Sequence, residues 1–149
     1  MYFSITGNQG GSCDDYYVLN DPKRNSEYVG FDWSCDAYDI VGQYWYRFAE
    51  PAGTTIPDKP VESNHCNTVN PGWLSGQHPT TPGQTINGKI CFNFGDGHTC
   101  YKETQIKIKH CTSYYLYFLS PRAIYCPYKY CSTSTTLISN LKTLELSAR

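Results

Sequence analysis

A chain of 149 residues with twelve basic and thirteen acidic side chains has room for one ordinary domain, and its net charge of −1 offers no basic surface for nucleic acid or an acidic membrane. Aromatic residues make up 15% of it, fourteen of them tyrosine, which is enough to build a real core. No segment is long and apolar enough to predict a membrane span.

Residues 1–12 are polar and glycine-rich and read as a flexible lead-in, so the ordered domain is expected to begin near Cys13. From there, short β-prone runs alternate with turn signals: YYVL before NDP, QYWYRF before EPAG, KICFNF before GDGH, then TQIKIKHC, and SYYLYFL before SP. This pattern predicts a mainly β domain of short strands and long loops, with a small α+β arrangement as the variant. In QYWYRF, Tyr44, Tyr46 and Phe48 point one way while Gln43, Trp45 and Arg47 point the other. SYYLYFL is apolar on both faces and predicts a central strand. Lys107 and Lys109 alternate with Ile106 and Ile108 and read as the wet face of a strand, and Gly95–Asp96–Gly97 reads as a hairpin turn. The stretch NHCNTVNPGWLSGQHP, residues 64–79, shows neither helical nor strand periodicity and reads as an irregular loop. Beyond Cys131, residues 132–149 read as a linker or the start of a following segment, with Leu137, Ile138, Leu141 and Leu144 at helical spacing.

Eight cysteines, at 13, 35, 66, 91, 100, 111, 126 and 131, form an even set with no C-x-x-C. That predicts disulfides and an oxidising compartment, each bridge stabilising by roughly 2–4 kcal/mol. Zinc would have to draw on Cys100, Cys111, Cys126 and Cys131 with His98 or His110, but knuckle spacing never occurs twice. No metal or other cofactor is expected. The start, MYFSITGNQGGS, has no apolar run of signal-peptide length, which alone predicts the cytosol. The cysteines outweigh it, and the chain is expected to be an extracellular or cell-surface module cut from a longer protein.

Candidate sites are few. Cys66 beside His65, or Cys111 beside His110, invites a thiolate–imidazole reading, yet neighbours on an extended chain point to opposite faces and the thiols are expected in bridges. The carboxylate pairs Asp14 and Asp15, Asp36 and Asp39, and Glu50 and Asp58 lie near turns and read as solvated. Calcium would need a series of carboxylates that Asp96 alone does not supply. His78 reads as a loop histidine held by a backbone bond. Trp33, Trp45 and Trp73 read first as covers for disulfides in the core; as the alternative, Trp45 is the candidate for a lectin-like surface aromatic.

The stretch HCNTVNPGWLSGQHP, preceded by YYVLNDPKRNSEY, CDAYDIVGQYWYRF and PAGTTIP and followed by GKIC, GDGHTC, IKIKHC and YYLYFL, resembles the eight-cysteine extracellular domain of the uromodulin type. That domain is shared by uromodulin, its pancreatic zymogen-granule relative and a liver zona-pellucida-domain protein. The resemblance runs from Cys13 to Cys131. It implies the pairing Cys13–Cys111, Cys35–Cys126, Cys66–Cys131 and Cys91–Cys100, whereas spacing alone leaves 105 pairings open. Family members with ten cysteines carry two more where this chain has Pro60 and Thr99. The resemblance makes Pro71, Gly72, Trp73, Gly76, His78 and Pro79 a structural signature, with Trp73 capping a stapled core.

The family also implies an N-linked glycan that bacterial fimbrial adhesins seize as a decoy. No Asn-x-Ser/Thr occurs here: the matching position is Phe118, and the loop reads Ser75-Gly76-Gln77. The function expected is therefore a non-enzymatic extracellular adhesion, recognition or structural module without those glycan sites. Its expected partners are other extracellular proteins or glycans, beside neighbouring epidermal-growth-factor-like or zona-pellucida modules. The alternative is a carbohydrate-binding module using surface aromatics.

Overall fold

The computed structural model describes residues 11–121 and 126–134. Of the lead-in read over residues 1–12, residues 1–10 lie outside them, and of the linker or following segment read over residues 132–149, residues 135–149 do; Gly11, Ser132 and Thr133 are hydrogen-bonded into the fold. Among the described residues, seven strands form one sheet: β1 (Tyr17–Leu19), β2 (Tyr44–Phe48), β3 (Asn70–Leu74), β4 (Thr85–Phe92), β5 (Lys102–Cys111), β6 (Tyr114–Leu119) and β7 (Tyr128–Tyr130), in the order β1-β2-β6-β5-β4-β3-β7. A four-residue helix, α1 (Asp36–Asp39), follows Cys35. The class is the mainly β one that the sequence predicts.

The centre is an antiparallel meander of β4, β5 and β6, whose turns fall at Asn93–Tyr101 and at Thr112 and Ser113. β2 adds antiparallel to β6 with Tyr46 opposite Tyr117, and β1 adds parallel to β2. On the other side β3 pairs antiparallel with β4, and β7 adds parallel to β3.

β3 lies inside the stretch that reads as an irregular loop, and it corrects that reading. Asn70–Leu74 is a buried strand between β4 and β7. Its pattern is hidden because Pro71 and Gly72 interrupt any alternation of side chains. Pro71 is tolerated because its missing N–H falls one residue outside the β3–β4 register, which starts at Gly72 opposite Phe92; its carbonyl still accepts from Asn93 N at 3.1 Å. Gly72 is required for space. A Cβ there would stand 2.7 Å from the Phe92 ring and 3.0 Å from the Lys129 carbonyl.

The sheet curls until the chain leaving β1 meets the chain leaving β7. Ser26 N donates to Ser132 O at 2.8 Å, Ser132 N donates to Arg24 O at 3.0 Å, and Thr133 bridges Thr55. The chain just beyond each edge strand thereby finds backbone partners.

One face of the curl holds the main core: Tyr46, Phe48, Ile90, Phe92, Ile106, Ile108, Tyr117, Leu119 and Tyr130, closed over by Ile40 and Ile56. The alternation in β2 and β5 places these residues as the sequence predicts. The opposite face is not simply wet. Trp45, Leu116 and Cys111 form a second cluster there with Cys13, Tyr16, Tyr114 and Phe118. The segment that begins at Gly11 covers it, and Lys109 Nζ donates to Gly11 O at 2.6 Å, so Lys109 is half-buried rather than solvated.

Four disulfides staple these layers: Cys13–Cys111, Cys35–Cys126, Cys66–Cys131 and Cys91–Cys100. The first ties the covering segment to the end of β5. The next two tie the β1–β2 connection, at Cys35, and the β2–β3 connection, at Cys66, to the chain around β7. The last closes the β4–β5 hairpin.

Candidate functional site

Cysteine chemistry is excluded at the level of the sulfur atoms, because no cysteine is free. Among the described residues one group, Cys91, Cys100 and Glu103, brings three potential metal-ligand atoms within 4.8 Å of one another. Its two sulfurs are bonded to each other, and the Glu103 carboxylate faces Lys89 Nζ at 3.5 Å. His65 Nδ1 donates to the Ser26 carbonyl at 2.8 Å, bracketing two loops, and its Nε2 lies 3.6 Å from the Glu62 carboxylate.

Asp36 overturns the solvated reading of its carboxylate pair. It is fully buried at the start of α1 and accepts both Arg24 guanidinium nitrogens, Nη2 at 2.6 Å and Nη1 at 2.9 Å. It also accepts Tyr130 N at 2.7 Å, while Arg24 Nη1 donates to Tyr130 O at 3.1 Å. Burial disfavours the Arg24 cation, but the Asp36 carboxylate outweighs it and holds the guanidinium pKa above its ordinary value. The pair is a structural lock on β7. Beside it, Lys129 Nζ donates to Ser34 Oγ at 2.8 Å and to Asp39 at 3.3 Å. Asp32 is held down to a pKa of about 2, chiefly by the Ser34 N–H and hydroxyl. The carboxylates on this shelf have cationic or N–H partners in place.

The signature loop is also structural. Trp73 packs on Val61, Cys66 and Cys131, and its Nε1 donates to Thr99 O at 2.7 Å. Pro71 and Pro79 are buried, and Gly76 takes a φ of +151° that a side chain rarely adopts. His78 is held by a side chain, not by the backbone bond expected from the sequence. Its Nε2 lies 2.8 Å from the Tyr117 hydroxyl, which also accepts Ile56 N at 3.0 Å. Burial pushes the His78 pKa down, against a weaker upward pull from Asp58, and pushes the Tyr117 pKa well above the usual tyrosine range. The arrangement follows from those directions: neutral His78 accepts the Tyr117 proton while Tyr117 accepts the Ile56 N–H.

The tryptophans divide differently from the sequence reading. Trp45, the lectin candidate, is only 3% exposed beneath Gly11 and against Phe118, with ring centroids 5.3 Å apart, so it presents no face to a sugar. The sequence places it on the second face of β2 but not under the segment that covers that face. Trp33, expected over a disulfide, is instead 72% exposed, edge-on to Phe31 at 5.2 Å.

What remains is a cleft of about 480 Å³ at the end of the sheet, between the exit of β2 and the β5–β6 turn, with Thr54 and Thr55 on one side. Among the described residues, the three buried side-chain polar atoms without a hydrogen-bond partner, Arg47 Nε, Thr54 Oγ1 and His110 Nδ1, all belong to residues that line it. Arg47 Nη1 donates to the Tyr16 hydroxyl at 3.0 Å, and the guanidinium lies 3.9 Å from the Tyr114 ring centre. His110 stands opposite Tyr115 across β5 and β6 and meets its ring edge-on. No sequence pattern points to this cleft, because its walls come from three separated segments.

Comparison with known proteins gives one family and a consistent set of relatives. The family described as "Uromodulin-like" matches residues 46–132. "Pancreatic secretory granule membrane major glycoprotein GP2" of Rattus norvegicus is 31% identical over 128 residues, covering 83% of this chain and 23% of that protein. Its counterpart from Canis lupus familiaris is 30% identical over 132 residues, 89% of this chain and 25% of that protein. "Uromodulin" of Rattus norvegicus is 34% identical over 109 residues, 72% of this chain and 16% of that protein. The chain thus spans a quarter or less of the length of these relatives.

Proposed function

Because the chain belongs to the uromodulin-like domain family, we propose that it is a non-enzymatic extracellular recognition and adhesion module of a larger secreted or membrane-tethered protein. The observation that carries this reading is the fate of the reactive groups. All eight cysteines are bridged, and among the described residues no histidine is hydrogen-bonded to a serine, threonine or cysteine side chain. A nucleophile beside a base, which a serine or cysteine hydrolase needs, is missing there. Relatives named as a membrane glycoprotein of secretory granules support an extracellular setting. The working unit is residues 13–131, set among epidermal-growth-factor-like or zona-pellucida modules, with other extracellular proteins or glycans as partners.

A lectin-like reading through surface aromatics passes from Trp45 to Trp33, the tryptophan that presents its ring to solvent.

The test is to immobilise the oxidised chain on arrays of glycans and extracellular proteins, with a reduced and alkylated sample beside it. Saturable binding by the oxidised form alone supports the module. Turnover of an ester, peptide or glycoside substrate by that form, without retained binding, overturns it.

A further inference from the structure

The turn that carries Trp33 holds a large aromatic ring in solvent at a cost in backbone strain. We propose that it is a subsite for a neutral hexose, whose C–H face stacks on Trp33 while two adjacent hydroxyls engage Asp32 and Lys23. This deepens the lectin-like reading above and rests on it.

Strain gives the first argument. Trp33 takes a φ of +65°, in the left-handed region that a bulky side chain rarely enters. The ring does not recover that cost by burial, being 72% exposed. At that exposure at least one face of the indole is open, although Phe31 stands edge-on against the ring at 5.2 Å. The surroundings impose the conformation: Asp32 Oδ1 accepts Ser34 N at 3.0 Å, closing the turn under Trp33, and accepts the buried Asn67 Nδ2 at 2.9 Å. Cys35 and Cys66, each beside this turn or its anchor, are bridged to Cys126 and Cys131. An exposed ring fixed in this way is preorganised for a ligand that stacks on it.

Polar groups within reach of solvent give the second. Asp32 and Ser34 line a cleft of about 370 Å³, which puts Trp33, between them in the chain, at its rim. Lys23 Nζ lies 3.4 Å from Asp32 Oδ2 with both side chains about half exposed, so a ligand meets them without opening the fold. An ion pair so open to water contributes little by itself, and its carboxylate oxygen and ammonium group keep hydrogen-bonding capacity that this one contact does not use. Adjacent ring hydroxyls supply the match, one donating to Oδ2 and the next accepting from Nζ.

The lining decides the charge of the ligand. It carries three carboxylates and three cations, of which Arg24 is committed to Asp36 and Lys129 to Ser34 and Asp39. An anion there meets Asp32 and a cation meets Lys23, whereas a neutral polyol meets no like charge. The C–H face of a hexose is also the kind of surface that an open indole face covers.

The experiment is a chemical-shift titration of the oxidised chain, read at backbone amides and the Trp33 indole N–H, with methyl β-galactoside and methyl α-mannoside. The methyl glycoside of a sialic acid and a blocked phenylalanine serve as the acidic-sugar and apolar-peptide arms. Saturable shifts at Trp33, Asp32 and Ser34 with at least one hexoside, at least about tenfold weaker in both control arms, are expected. Trp33→Gly removes the ring and suits the left-handed φ, so the fold should persist while the shifts at Asp32 and Ser34 are lost. Lys23→Met, which removes the exposed donor, should weaken binding several-fold with the remaining spectrum unchanged. The proposal is overturned by no saturable shift with either hexoside, by equal shifts in either control arm, or by hexoside binding that survives Trp33→Gly. Failure here leaves array binding by the oxidised chain to extracellular proteins intact, whereas failure of the recognition reading removes array binding altogether.

Discussion

Arg24 and Arg47 are the same residue type in two regions of one sheet, and they differ in how completely their hydrogen-bonding capacity is used. Arg24 is buried at the seam where the edges of the curl meet, gripped in two places by Asp36 and once by the Tyr130 carbonyl. Arg47 stands at the open end of the sheet with one hydrogen bond to Tyr16 and an unmatched Nε. The seam is closed chemistry, in which every charge has an answer and the pair specifies how the chain packs. The open end keeps polar atoms uncompensated around a space. Satisfaction of polar groups, more than burial, separates these two regions of the fold.

The sharpest way to break the comparison is at the seam. Asp36→Ala leaves the Arg24 cation buried without its carboxylate and takes the acceptor from Tyr130 N. It should cost about 3–5 kcal/mol in urea unfolding with the bridges intact. A loss below about 1 kcal/mol, the range of exposed ion pairs, would mean that the seam is not a lock. Gly72→Ala comes next. Its methyl meets the Phe92 ring and the Lys129 carbonyl between β4 and β7 and should cost about 1–3 kcal/mol by the same assay. An unchanged midpoint would contradict the close approach of these strands.

A smaller effect is expected from acid. Burial holds the His78 pKa below its ordinary value of about 6.5, so between the two values the unfolded chain binds a proton that the folded chain refuses. The contribution is therefore fully present above the ordinary value and is lost as pH falls through the lowered one. Urea midpoints measured from neutral to mildly acidic pH should decline, and His78→Gln should flatten that part of the slope; an identical slope in the variant would exclude His78 as its source. Smallest of all is Thr54→Val at the open end. Removing a buried hydroxyl that has no partner should shift stability by no more than about 0.5 kcal/mol, and any gain would sharpen the contrast with the seam.

Much of the sheet was legible because alternation is local. Tyr44, Tyr46 and Phe48 show the inner face of β2 from sequence alone, and Ile106 and Ile108 do the same for β5. β3 was hidden because Pro71 and Gly72 replace the side chains that would display a period, and β7 because three residues are too few to show one. Trp45 could be assigned to a face but not to the interior, since its cover arrives from Gly11 and from the bridge between Cys13 and Cys111. Asp36 looked solvated because its partner lies twelve positions away in another turn. The bridge partners were not legible in spacing at all, and their pairing entered through the resemblance. The cleft left no trace in the sequence, because Arg47, Thr54 and His110 become neighbours only after β2, β5 and β6 have paired.

The central claim, a non-catalytic domain held by bridges with no thiol left for chemistry, is tested most directly by intact mass. The chain, produced through a secretory route and purified without reductant, is alkylated before and after reduction. The account predicts no alkylation of the native protein and a mass eight hydrogens below that of the reduced form, as four bridges require. A native protein that takes up alkylating agent at any cysteine would contradict the closed seam and the non-enzymatic reading together.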